Sequence, residues 1–175
     1  LGQGVMQDDH GGLTPFGKEA IGLATELGWA IDVSHLNREG VIDVCGSGAT
    51  VIATHSNARK IHDHPRNLTD DLIEMIGSRG GMVGVNLYPP FLGPKDQTIT
   101  LETVTRHVLH LLEILGEDQV GLGTDLDGID QTPQGFRDHR DLDSLADGLR
   151  QGGIPRNAVE KVLGAGFIRW ESWSR

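Results

Sequence analysis

Cysteine is almost missing from this 175-residue chain: Cys45 stands alone, so no intrachain disulfide can form and no thiolate cluster can hold a metal. A chain so poor in cysteine suits a reducing compartment, and a cytoplasmic location is the expectation. Any metal site must be built from imidazole and carboxylate. Long apolar runs are missing too. No stretch nears the ~20 consecutive apolar residues of a membrane-spanning helix, which excludes such a span. Positive charge is in deficit, with 15 Lys and Arg against 25 Asp and Glu, so nucleic acid, whose phosphates need a basic surface, is not an expected partner. Residues 1–12 show neither a signal-peptide core nor a transit pattern. A glycine-rich phosphate cradle at a helix start is also not evident, which argues against a phosphate-binding barrel.

What is present reads as one folded unit spanning 1–175, a length that a single domain can have. The 25 glycines are scattered rather than clustered, so they serve as turn and strand-end punctuation. Four short apolar runs, at 29–33, 50–53, 82–85 and 120–123, predict strands buried on both faces, as in a parallel sheet. Helical patterns separate them. Thr14-Pro15 supplies a cap and a first-turn proline for a helix reaching Leu27, with Gly28 as terminator. A short helix follows Asn37, and Thr69 precedes another that has Asp70 and Asp71 in its first turn. Over 100–115, Leu101, Val104, Val108, Leu111, Leu112 and Leu115 share one face before Gly116. Pro155 opens a last helix expected to stop near Gly164. Alternation of this kind means a parallel sheet with crossover helices, either doubly wound or a (β/α)8 barrel. Four strands are half of what such a barrel closes with.

Each apolar run leads into a residue that can do chemistry. The first reads Ala30-Ile31-Asp32-Val33-Ser34-His35 and the second Val51-Ile52-Ala53-Thr54-His55-Ser56-Asn57. The third reaches Asn86 and Tyr88, and the fourth reads Gly121-Leu122-Gly123-Thr124-Asp125-Leu126-Asp127. In α/β barrels the βα-loops converge at the C-terminal strand ends, and active sites assemble there. His35 and His55 are natural zinc ligands, since neutral imidazole suits zinc and adjacent parallel strands can bring two to one ion. Buried histidines bonded to their neighbours are the alternative. Asp125, on the same rim, can move a proton during hydrolysis; Asp127 reads as a loop or capping carboxylate. Arg66 follows His62 and His64 in a loop, where it can clamp a substrate carboxylate or stand as a solvated charge. His107 and His110, on the long helix, read as structural, and His10 and His139 lack ligand spacing.

Together with Gly12-Leu13-Thr14-Pro15-Phe16-Gly17, Asp63-His64-Pro65-Arg66-Asn67-Leu68-Thr69-Asp70 and Gly84-Val85-Asn86-Leu87-Tyr88, these stretches resemble the membrane (renal) dipeptidase family of metallopeptidases. Ordered motifs from Gly12 to Trp170 are far more specific than any lone pattern. The resemblance implies a TIM-barrel-like (β/α)8 hydrolase with two zinc ions, of which this chain answers to about the C-terminal four β/α units. It implies hydrolysis of dipeptides by metal-bound hydroxide. By resemblance, His35 and His55 match the two histidines of one zinc site, Asp125 the aspartate of proton transfer, and Arg66 the arginine that holds the substrate carboxylate. Such a clamp beside the scissile bond favours dipeptides over longer chains.

The family also uses a His-x-Asp pair, a bridging glutamate and a further histidine that have no counterpart here; Glu19, Glu26 and Glu74 fall in predicted helices. The His35–His55 interval is one residue shorter than the family pattern, and Gly166 stands where asparagine is common. The expectation is therefore an incomplete part of a zinc dipeptidase. The alternative is a catalytically inactive half-barrel that acts by binding a partner. The open sheet edges of a half-barrel would take a homo-oligomer or a complementary N-terminal half as partner, besides the dipeptide substrate.

Overall fold

The computed structural model describes residues 1–6 and 11–173, with only the backbone of Ser172 and Trp173; His10 lies outside them. Four strands, β1 (Ala30–Asp32), β2 (Thr50–Ala53), β3 (Met82–Val85) and β4 (Val120–Leu122), pair in parallel in the order β1-β2-β3-β4. An order that never reverses is the winding of a (β/α) barrel, whereas a doubly wound sheet reverses at a switch point. The strand order thus decides between the two architectures that alternation allowed. Among the described residues the sheet has four strands, so the outer edges of β1 and β4 carry no partner strand.

The connections are helical: α1 (Pro15–Glu26), α2 (Arg38–Gly46), α3 (Asp70–Ser78), α4 (Pro89–Leu92), α5 (Leu101–Leu115), α6 (Leu142–Gln151), α7 (Arg156–Glu160) and α8 (Gly166–Trp173). Local chemistry sets several of their starts. Thr14 Oγ1 accepts from the Gly17 N–H at 3.0 Å, and Asn37 Oδ1 accepts from the Gly40 N–H at 2.9 Å. Thr69 does not cap through its side chain; its hydroxyl accepts from Arg38 Nη1 at 2.9 Å instead. Two stretches depart from the sequence pattern. The Pro155 helix does break at Gly164, whose φ of 142° is non-helical, but it is not the last: a wide turn (Lys161–Ala165) carries the chain across the kink into α8. Helix α6 was not bounded in the sequence, although Leu145, Ala146 and Leu149 bury one of its faces.

Register and alternation sort the strand side chains into two faces. Val33, Val51, Ala53, Val83, Val85 and Val120 join the core under the helices, with Ile73, Ile76, Val104, Val108 and Leu111. Ile52 and Met82 point to the opposite, concave face, where Asp32 is Ile52's neighbour in register. β3 is buried throughout, as predicted. β1 is not: Ala30 and Asp32 are exposed, and Trp29, counted with the strand in the sequence, precedes it and is 64% exposed. An edge strand is covered on fewer sides, and apolarity alone does not reveal position within a sheet. No helix among the described residues is long and apolar enough to cross a membrane.

Candidate active site

All four strands are parallel, so their C-terminal ends deliver His35, His55, Asn86 and Asp125 to one rim. The two imidazoles meet there: His35 Nε2 and His55 Nε2 lie 2.8 Å apart, with ring centroids 4.9 Å apart. Desolvation, followed by the positive charge of Arg66 and the neighbouring His55, holds the His35 pKa below its ordinary value, against the opposing pull of Asp32 and Asp125. A neutral imidazole is the form that binds metal. The facing Nε2 atoms are placed where the two rings could share one metal ion. Catalytic zinc sites take three protein ligands as a rule, and no third His, Cys, Asp or Glu joins the pair among the described residues.

His55 is placed by its own backbone. The Thr54 carbonyl sits so close to the ends of β3 and β4 that a Cβ on Gly84 would lie 2.2 Å from its oxygen, and one on Gly123 1.8 Å. Only glycine allows that approach. The His55 N–H donates to Ser34 Oγ at 3.1 Å, and Thr54 Oγ1 lies 2.7 Å from His55 Nδ1. Beneath them, Asp32 accepts from the Ser34 N–H at 3.0 Å, Ser34 Oγ at 2.7 Å, the Thr54 N–H at 3.1 Å and Thr54 Oγ1 at 2.5 Å. Desolvation pushes the Asp32 carboxyl pKa up, but these four donors outweigh it and hold it below the usual carboxylate value. The residue as a whole is exposed, while its carboxylate reaches in among Ser34 and Thr54. Asp32 and Thr54 had no assigned role in the sequence. The available signal was an Asp-x-Ser step at a strand end, which reads equally well as an ordinary turn.

Asp125 takes φ 59°, the one left-handed conformation among described non-glycine residues. Aspartate tolerates this region better than most residues, and strained backbone gathers at functional sites. Its Oδ2 accepts from Asn86 Nδ2 at 3.0 Å. Asn86 is fully buried; its Oδ1 accepts from the Tyr88 N–H at 2.6 Å, and its backbone exchanges two bonds with the side chain of Asn57, each 3.1 Å. The carboxylate is thus held by a rigid chain of amides.

Arg66 is 6% exposed; its Nη1 donates to the Ser34 carbonyl and its guanidinium carbon lies 5.2 Å from the centre of the Phe91 ring. Among the described residues, its Nε and Nη2 have no protein acceptor. Burial lowers the Arg66 pKa, opposed by the charges of Asp125 and Asp32. A cleft of about 1140 Å³ opens beside it, lined by His35, His64, Tyr88 and Phe91. A smaller cleft, about 410 Å³, is lined by His55, Thr54 and Asp125. His35 lines the first cleft and His55 the second.

None of the other described histidines joins the pair in a metal-binding group. His107 is fully buried, accepting from the Ala58 N–H at 3.2 Å through Nδ1 and lying 3.0 Å from the Leu92 carbonyl through Nε2. His110 lies 2.8 Å from Asp70. His64 packs on Phe91, and His139 begins a short 3-10 turn. Asp127 lies in the turn after Asp125 and is exposed.

Comparison with known proteins adds the decisive observation. The model of the membrane dipeptidase family (peptidase family M19) matches residues 2–172. The chain belongs to this family. An uncharacterized protein of Klebsiella pneumoniae is 38% identical over 172 residues, which are 96% of this chain and 61% of that one. A dipeptidase of Claviceps purpurea is 31% identical over 161 residues, 91% of this chain and 38% of that one. Among solved structures, a metallopeptidase from Rhodobacter sphaeroides, liganded with a phosphinate mimic of the dipeptide L-Ala-D-Ala, superposes with a TM-score of 0.89 at 34% identity. It is covered to 50% of its length by the whole of this M19 chain. The chain thus spans roughly half the length of the relatives it matches, and its parallel sheet is the corresponding part of their barrel.

Proposed function

We propose that this M19 chain carries part of the active site of a zinc-dependent dipeptidase, the remaining metal ligands coming from barrel segments that relatives of twice its length possess. The observation that supports this best is the convergence of His35 and His55 at 2.8 Å on the rim that also bears Asp125 and Arg66. Zinc, when bound, supplies Lewis acidity at the scissile carbonyl and makes water more acidic. Arg66 receives the substrate's free carboxylate on its Nε and Nη2 while Phe91 and the Ser34 carbonyl keep the guanidinium still. Asp125, aimed by Asn86, takes a proton during attack and returns it to the leaving amine. The cleft beside Arg66 is roomy enough for a dipeptide-sized ligand.

Zinc titration of this chain tests the metal assignment. Weak binding is expected, and His35→Ala combined with His55→Ala should abolish it; unchanged binding refutes the assignment. The chain by itself should turn over dipeptides negligibly and gain activity when the preceding half of a relative is added. Robust turnover by this chain alone would refute the claim that the other ligands are essential.

A second reading, a non-catalytic half-barrel that binds a partner, is favoured by one observation. Leu23, Leu27 and Trp29 are 58%, 55% and 64% exposed beside the free edge of β1. The two readings separate on complementation: an inert half-barrel associates with the other half and yields no hydrolysis.

A further inference from the structure

We propose that Asp32 is a positioning residue that acts through the hydroxyl of Thr54 to fix His55 as its Nδ1–H tautomer, leaving the Nε2 lone pair for an ion shared with His35. This rests on the zinc reading above but makes a claim about the metal-free chain. An ionised carboxylate only accepts hydrogen bonds, whereas a hydroxyl has one proton to give. Asp32 Oδ1 is taken up by the Ser34 N–H, Ser34 Oγ and the Thr54 N–H. Its Oδ2 lies 2.5 Å from Thr54 Oγ1, so the hydroxyl proton of Thr54 goes there. The same oxygen is 2.7 Å from His55 Nδ1 and has only lone pairs left to offer. His55 Nδ1 must then carry the proton. In a neutral imidazole that leaves Nε2 as the acceptor, and Nε2 is the atom facing His35.

The alternative is that Asp32 only braces the turn at Ser34. The two roles separate at Thr54, because Thr54→Val keeps every bond between Asp32 and backbone while removing the relay. A metal ligand whose other nitrogen loses its partner typically costs 10–100-fold in affinity. Asp32→Asn goes further: its amide can donate to Thr54 Oγ1, freeing the hydroxyl proton for His55 Nδ1 and driving the ring proton to Nε2.

The experiment uses the 175-residue chain at neutral pH. Long-range 15N–1H correlation spectra read the His55 tautomer without metal, and competition with a chromophoric chelator reads the affinity for Zn2+ alone. The wild-type chain is expected to show the Nδ1–H form. Thr54→Val should lose that preference and bind zinc 10–100-fold more weakly, Asp32→Asn should switch to Nε2–H, and Thr54→Ser should restore the wild-type tautomer and affinity. An Nε2–H tautomer in the wild-type chain, or a tautomer indifferent to Thr54→Val, overturns the relay. If Asp32→Asn fails to fold, the Val and Ser variants at Thr54 still decide. A relay that behaves as stated while zinc affinity ignores both histidines refutes the zinc reading and leaves the relay standing. Zinc affinity that depends on the histidines and ignores Thr54 refutes the positioning role.

Discussion

His107 has the most strongly shifted side chain among the described histidines, and it stands outside the site. Burial among α5 and its neighbours drives its pKa down to about 4, although the Leu92 carbonyl pulls the other way. Unfolding returns the ring to an ordinary value near 6.5. The sign follows directly. Below pH 6.5 the unfolded chain gains a proton that the folded chain refuses until about pH 4, so stability falls as pH drops through that window. The loss is roughly 3 kcal/mol by the acid end, at about 1.4 kcal/mol per pKa unit. Urea midpoints measured from pH 7.5 to 4.5 should fall steeply for the wild-type chain. His107→Gln should start less stable but show a flatter profile, and equal slopes would dismiss this account. At the same scale, the sequence marked His35, His55, Asp125 and Arg66 because imidazole, carboxylate and guanidinium announce their chemistry. It did not mark Thr54 or Asp32. Their importance lies in which atom faces which, and that emerges only once β1 and β2 stand in register.

At the scale of elements, the β2 end and its two glycine neighbours form a single device. The Thr54 carbonyl occupies space that side chains on Gly84 and Gly123 would fill, and His55 follows immediately. Gly123→Ala puts a Cβ 1.8 Å from that oxygen, a backbone atom that cannot swing aside. The expected cost is about 1–3 kcal/mol, as for overpacking generally, with displacement of the His55 ring and weaker zinc binding. Gly22→Ala is the control: it lies within α1, nothing stands within 4 Å of its Cβ, and it should stabilise the chain by about 1 kcal/mol. Parallel urea titrations check both, and equal effects would remove the glycine argument. Elements of this kind were largely legible. β2, β3 and the helices with side-chain caps follow local rules, whereas α6 and the passage through Gly164 depend on packing against α5 and β4.

At the scale of the whole molecule, the sheet is finished on one face and unfinished at its edges. Phe16 and Leu23 of α1 and Leu27 at its C-cap recur at intervals of seven and four, to one side of the buried Gly17, Ile21 and Ala24, and so form an exposed apolar stripe. Trp29 extends it to the open edge of β1. Apolar surface beside unpaired backbone groups is a template for association. The chain spans 50% of the Rhodobacter metallopeptidase, so a relative of that length has as much chain again with which to cover this flank. The isolated chain should therefore self-associate, sedimenting as species larger than a monomer at micromolar concentrations. Leu23→Lys combined with Leu27→Lys places two like charges one helical turn apart on the stripe and should return the chain to a monomer without loss of helix content. Association that survives the double substitution would move the sticky surface elsewhere. A wild-type chain that stays monomeric at high concentration would show that this flank needs no cover.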